Sequence, residues 1–257
     1  DKSSIYNLKM SATKDPAVSK EKVLGITRPG IKNDEVLDLY KTWSKEYDKD
    51  LDEEEYGGPR KVAQTLAAAL GEGSAARVLD VGAALGEGST ARVLDVAAGQ
   101  GEGSTARVLD VAAGTGLCGQ ELSKLGFSNV DALDASQEML DVAKTKNVYK
   151  NFLKEFLGPN RLNIDDDTYD GMTACGLFCD GHVGPNCLEQ LIRIVKPGGK
   201  ICIGLRETLL TTSENCKELE PRMAALQNEG LWQQVHREVF PGYCVGFDGV
   251  VYVYKVL

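Results

Sequence analysis

The chain has 257 residues, enough for one large α/β domain or two small ones with a sizeable buried core. Acids outnumber Lys plus Arg by 38 to 29, a net charge of −9, which argues against a nucleic-acid partner because such proteins present a basic face. Seven cysteines, with no leader pattern and no apolar run long enough to cross a bilayer, read as free thiols in a reducing compartment. The expectation is a cytoplasmic protein, extending to the nucleus, with no membrane partner.

Residues 1–33 mix polar and apolar side chains without a period and read as a flexible arm. From Asp34, the residues Val36, Leu39 or Tyr40, Trp43 and Tyr47 fall at helical spacing, and Gly57-Gly58-Pro59 breaks that helix. Pro59 suits the first turn of a second helix, with Val62, Leu66 and Leu70 on one face and Gly71 as its stop. The acidic runs 48–55 and 165–167 read as solvated faces.

Next comes a tandem repeat. Gly71-Glu72-Gly73-Ser74-Ala75-Ala76-Arg77-Val78-Leu79-Asp80-Val81 recurs from Gly86 and again from Gly101, at a period of fifteen residues. The third copy continues through Arg107-Val108-Leu109-Asp110-Val111 into Ala112-Ala113-Gly114-Thr115-Gly116. An apolar strand ending in an acid, then a Gly-x-Gly turn opening a helix, lets backbone approach a nucleotide-like ligand closely.

Beyond it, 117–125 reads as a helix closed by Gly126, 130–134 as a strand, and Ser136 as the cap of a helix running to about 146. A strand near 149–156 and a Pro/Asp-rich loop precede the strand 171–175. Residues 185–195 form a helix with Leu188, Leu191, Ile192 and Val195 inward, followed by a type II turn at 196–199 and an apolar strand at 200–205. A helix around 221–227 and two strands, 231–239 and 250–257, finish the chain. With no helix between them, those last strands suit an antiparallel edge pair. The whole predicts a doubly wound, mostly parallel α/β sheet of seven strands with helices on both faces.

A nucleotide-binding unit needs a helix after the glycine turn and an acid at the end of the next strand, about 20 residues on. The third copy meets this, since Asp134 lies 20 residues after Gly114. The second copy has Gly99 and Gly101, but residues 102–106 leave no room for a crossover helix. The first lacks the paired glycines, although it sits directly behind the helix ending near Leu70, where a first strand normally begins. The third copy is therefore expected in the central strand position, with 71–100 as an insertion. The alternative places the first copy there and displaces the ligand loop.

Gly114-Thr115-Gly116-Leu117-Cys118-Gly119 also satisfies the G-x-G-x-x-G of NAD-dependent oxidoreductases. Asp110 opposes that reading, because an acid at the strand end repels a pyrophosphate and attracts an ammonium group. So do the helical segment ahead of the unit and Lys196-Pro197-Gly198-Gly199 before the fifth strand. These residues, with Val108 to Gly116 as first motif and Asp134 as ribose acid, resemble the class I S-adenosylmethionine-dependent methyltransferases over about residues 34–257. The resemblance implies a methyltransferase domain at 34–257, with 34–70 as a helical lid and S-adenosylmethionine as cofactor.

It further implies a donor site made by Asp110, Ala112, Gly114, Thr115, Gly116, Asp134, Ala135, Met139, Cys175 and Gly176, with Tyr47 and Tyr56 closing over the methionine end. Asp110 faces the amine, Asp134 both ribose hydroxyls, and Ala135 and Met139 the adenine. The acceptor is a small molecule or a protein side chain. His182, with Asp180 as alternative, follows the fourth strand where acceptors bind, and is the candidate general base. Cys175, Cys179, His182 and Cys187 invite a zinc reading, but their spacing lacks a C-x2-C pair, so no metal is expected. The competing reading of another class is a catalytically silent fold that serves in interactions.

Overall fold

Seven strands share one sheet in the computed structural model, which describes residues 16–51, 56–71 and 104–257. Residues 1–15, 52–55 and 72–103 lie outside the described residues, and with them all of the first two repeat copies and of the expected insertion beyond Gly71.

The N-terminal helices are α1 (Pro16–Ile26), α2 (Asn33–Trp43), α3 (Tyr47–Asp50) and α4 (Gly58–Gly71). Over residues 16–26, helix α1 corrects the expectation of a flexible arm. It has no apolar stripe for a sequence pattern to show, and tertiary contacts hold it. Val23 and Ile26 are buried, Lys22 Nζ lies 2.5 Å from Asp50 Oδ2, and the same ammonium sits over the Trp43 ring. Along α2, Val36 and Trp43 turn inward and Tyr40 joins them, while Leu39 stays 37% exposed. In α4, Val62 and Leu66 are fully buried against the sheet. Each such side chain contributes roughly 1.5–3 kcal/mol of burial. The close approach of α4 depends on Gly204, where a Cβ would lie 2.3 Å from a Val62 methyl.

The alternating part runs β1 (Val108–Val111), α5 (Leu117–Lys124), β2 (Val130–Asp134), α6 (Gln137–Thr145), β3 (Phe152–Lys154) and β4 (Tyr169–Cys175). A short 3-10 turn (Pro185–Cys187) leads into α7 (Leu188–Ile194), then β5 (Val195–Arg206), α8 (Leu209–Thr212), α9 (Leu219–Asn228), β6 (Trp232–Cys244) and β7 (Phe247–Val256). Ser136 caps α6 as expected, its Oγ accepting from Met139 N at 3.3 Å. Strand β1 belongs to the third repeat copy and is buried along its whole length, as a central parallel strand should be.

The strand order is β3-β2-β1-β4-β5-β7-β6, parallel except where β7 pairs with β5 and β6. The order in which strands are added to the sheet reverses between the parallel neighbours β1 and β4, which opens a crevice at their carboxyl ends. One face is covered by α7, α8 and α9, the other by α4, α5, α6 and the N-terminal helices.

Two expected loops are instead strand. Residues 196–199 lie within β5, which bulges between its pairs Tyr169↔Val195 and Gly171↔Lys200, with Gly198 at φ +87°. The stretch between the two expected last strands is mostly hairpin too: β6 continues to Cys244, and Val245 and Gly246 turn with positive φ. Among the described residues no helix is long and apolar enough to cross a membrane. All seven cysteines are free thiols.

Candidate functional site

The loop after β1 is a backbone structure. Ala112 and Gly114 both take φ +55° and Gly116 takes φ +90°, the left-handed conformations that a tight strand-to-helix turn requires. A side chain at Gly116 would also approach the Tyr149 ring to 3.0 Å, whereas Gly114 faces open space. Gly116 N donates to Ala113 O at 2.8 Å. Asp134, at the end of the neighbouring β2, fixes the loop: Oδ2 accepts from Gly114 N and Oδ1 from Ser136 N, both at 2.8 Å. Burial raises the Asp134 pKa and these backbone donors oppose the rise.

Asp110 is used differently from the sequence expectation. Its Oδ2 accepts from Tyr149 OH at 2.6 Å and its Oδ1 from Thr173 Oγ1 at 2.8 Å. Tyr149 OH in turn accepts from Gly119 N at 3.2 Å, so the strand end, β4 and the first turn of α5 are tied through one carboxylate. Burial pushes the Asp110 carboxyl up to about 6, against the two hydroxyl donors. Nothing in the sequence pattern marked Tyr149, which lies in a loop before β3.

A cavity with about 800 Å³ of empty space opens at the carboxyl ends of β1 and β4. The structure brings ten of the expected residues to its wall: Tyr47, Tyr56, Ala112, Gly114, Asp134, Ala135, Met139, Cys175, Gly176 and His182. It does not bring Asp110, Thr115, Gly116 or Asp180 there. Thr115 is buried and donates from Oγ1 to Asp48 Oδ1 at 2.5 Å, while Lys146 Nζ pairs with Asp48 Oδ2 at 2.6 Å. Asp48, read from sequence as part of a solvated run, therefore latches α3 to the glycine loop and to the end of α6.

The carboxylate of Asp180 is buried, and its Oδ1 accepts from Ser213 Oγ at 2.8 Å, away from this wall. Tyr40, Asn33, Val36 and Leu37 line the cavity unannounced by sequence, where α2 showed only a core stripe.

His182 sits deep in the wall. Nε2 lies 2.9 Å from Tyr40 OH, and Nδ1 lies 3.1 Å from the Asp180 carbonyl and 3.0 Å from Cys179 Sγ. The carbonyl can only accept, which assigns the imidazole proton to Nδ1 and leaves Nε2 to accept from Tyr40 OH. Burial lowers the His182 pKa, so the ring is neutral at physiological pH. Asn33 Nδ2 donates to the carbonyls of Gly181 and His182, pinning this loop to α2. Of the four residues with zinc-like spacing, Cys179 and His182 touch. Among the described residues no three metal-ligating side chains converge. Burial raises the Cys175 thiol to about 12, which keeps it protonated and unreactive.

Comparison with known proteins agrees with this geometry. Residues 108–199 match the family described as methyltransferase domain. The human methyltransferase-like protein 27 is 28% identical over 201 residues, covering 77% of this chain and 68% of that protein. The chain is an S-adenosylmethionine-dependent methyltransferase. Two solved methyltransferases share its fold. That of Burkholderia thailandensis, 1,6-didemethyltoxoflavin-N1-methyltransferase with bound 1,6-didemethyltoxoflavin and S-adenosylhomocysteine, has a TM-score of 0.54 at 16% identity, covering 94% of this chain and 90% of that one. The TehB-like S-adenosylmethionine-dependent methyltransferase of Corynebacterium glutamicum has a TM-score of 0.50 at 15% identity, covering 95% and 100%.

The cofactor of this methyltransferase is S-adenosylmethionine, and neither the nicotinamide reading nor the silent-fold reading gains support from these relatives. The methyltransferase match begins at β1, in the third repeat copy, and ends within β5.

Proposed function

We propose that this methyltransferase acts on a small-molecule acceptor inside the cavity between the lid and the ends of β1 and β4. The observation that carries this reading is the single cavity in which Gly114, Asp134, Met139 and Cys175–Gly176 face Tyr40, Tyr47 and Tyr56. Helices of the lid form its outer wall, and its lining is mostly apolar with a few converging polar groups, as in small-molecule sites. The functional unit is residues 34–257, to which α1 adds a brace. A cytoplasmic location, extending to the nucleus, is proposed from the seven free thiols.

The residues present fit the donor. Gly114 offers an unobstructed backbone, and Asp134 retains lone pairs for the ribose hydroxyls beyond those its backbone partners use. Ala135 and Met139 give an apolar border for the adenine, and Leu157 with the half-exposed Phe156 extends it. Tyr47 and Tyr56 cover the methionine end above Cys175 and Gly176. Asp110 acts as a positioning residue through Tyr149 and Thr173. Gly116 and Thr115 shape and latch the same loop.

S-adenosylmethionine supplies an already activated methyl group, so positioning and exclusion of water can carry most of the rate. Where the acceptor loses a proton, Tyr40 and His182 handle it. The acceptor's proton passes to Tyr40 O as Tyr40 gives its own to Nε2 of His182, and the Asp180 carbonyl steadies the resulting imidazolium through Nδ1–H. Asp180 thus serves through its backbone, and its side chain holds Ser213.

The test is production of S-adenosylhomocysteine from S-adenosylmethionine in the presence of cell extract fractionated by size. Turnover supported by the small-molecule fraction is the expected result. Turnover supported by the protein fraction alone would overturn the acceptor class.

A further inference from the structure

Behind the lid tyrosines lies an inner cavity with about 520 Å³ of empty space. It shares Tyr40, Tyr47, Tyr56 and Gly176 with the outer one, so the two meet where the donor's reactive end is proposed to lie. Its far wall carries Arg206, the last residue of β5. Strand alternation places Arg206 on the same face as Cys202 and Gly204, beneath α4 and the lid. The residue is only 8% exposed, yet among the described residues Nε and Nη1 have no hydrogen-bond partner.

A buried guanidinium without partners is expensive. Desolvation of the charge is not offset, and each orphaned N–H adds its own cost. The surroundings do not repair it. Arg206 lies over the Phe247 ring at 4.5 Å, which supplies stacking but no acceptor. Among the described residues no carboxylate comes within ion-pair distance, and the Asp180 carboxylate, the buried acid on the neighbouring loop, is taken by Ser213. Cys179 and Cys244 also line the cavity, and burial raises both thiols, Cys244 to about 11, so neither supplies a counter-charge. The remaining wall is mostly aliphatic and aromatic, with Val23, Ile26, Leu51 and Phe178, and the Thr27 hydroxyl is spent on the Val23 carbonyl.

We infer that the methyl acceptor is an apolar molecule bearing a carboxylate, which Arg206 grips in the inner cavity while the acceptor atom projects toward Gly176. This rests on the reading of the outer cavity as the donor site. A planar guanidinium matches a carboxylate bidentately, and an apolar wall matches a hydrocarbon or aromatic body. Arg206 is then the specificity-determining residue, and its charge becomes paired only when substrate arrives.

The experiment titrates the full chain, saturated with S-adenosylhomocysteine, with matched acids and amides: phenylacetate against phenylacetamide, and octanoate against octanamide. At least one acid should bind about tenfold tighter than its amide, the worth of a charge-assisted hydrogen bond. R206M should erase that ratio and leave S-adenosylhomocysteine affinity unchanged, and R206K should keep part of it. Should R206M fail to fold, the wild-type ratio and R206K decide.

Equal binding of acid and amide, or no acid binding in any pair, overturns the inference, as does tighter binding of inorganic phosphate than of every acid. If S-adenosylhomocysteine itself does not bind, the outer-cavity reading fails separately. The acid-to-amide ratio in the cofactor-free chain then still judges Arg206.

Discussion

The loop after β1 and the lid that faces it line the same cavity, but they are held in different ways. The loop is fixed by backbone groups and by Asp134, which lies 20 residues from the Gly114 amide it accepts from. The lid is fixed by side chains far apart in the chain. Tyr40 meets His182 across 142 positions, Tyr56 meets Cys175 across 119, and Asp48 meets Thr115 across 67. A site built from local backbone geometry depends on residue types in a fixed spacing. One built from long-range side-chain contacts depends on packing that no spacing encodes.

The comparison breaks most visibly at Asp110, where the loop depends on a buried side chain. Asp110→Ala would leave the Tyr149 and Thr173 hydroxyls without their acceptor, at a cost of about 2–4 kcal/mol. Thermal melting at neutral pH checks this.

Its pH dependence has a definite sign. The folded carboxyl, raised to about 6 by burial, titrates above the ordinary value of 3.8. Between those values the unfolded chain has released the proton and the folded chain retains it, so stability falls as pH rises through the window and levels off above it. Asp110→Asn removes that loss. The melting temperature of the wild type minus that of this variant should therefore fall across the window, and parallel profiles would contradict the assignment.

The lid responds next. Asp48→Ala removes both latch contacts and strands the mostly buried Lys146 ammonium. Because the Asp48 side chain is about a third exposed, the expected cost is discounted to about 1–2 kcal/mol. The sharper readout is hydrogen exchange, which should rise in α2 and α3 and stay unchanged in β1 and β4. Protection unchanged throughout would show that the latch does not hold the lid.

Smallest is Tyr40→Phe, which removes one hydrogen bond and costs about 1 kcal/mol. It should lower turnover more than cofactor affinity for an acceptor that must lose a proton. Equal turnover would take Tyr40 and His182 out of the chemistry.

These differences explain what the sequence made legible. β1, the helix after it, β2 and Asp134 follow from local period and spacing, and they led directly to the third repeat copy as the central strand. The Ser136 cap and the antiparallel last strands were legible for the same reason. Helix α1 was not, since its order comes from Val23, Ile26 and the Lys22 contacts rather than from any stripe. The course of Asp110 was read from its position at the strand end, but its orientation is decided by Thr173 on β4 and Tyr149 in the loop before β3. Asp180 was placed in the right loop with its side chain turned away. Arg206 gave no signal, because an arginine after an apolar strand ordinarily reaches solvent.

The most direct test of the central claim is calorimetric titration of the wild type and Asp134→Ala with S-adenosylhomocysteine, with NAD in parallel. The account predicts micromolar binding of S-adenosylhomocysteine to the wild type, weakened about a hundredfold in the variant by loss of the ribose acceptor and the Gly114 anchor, and no binding of NAD. Unchanged affinity in Asp134→Ala, or binding of NAD alone, would contradict it.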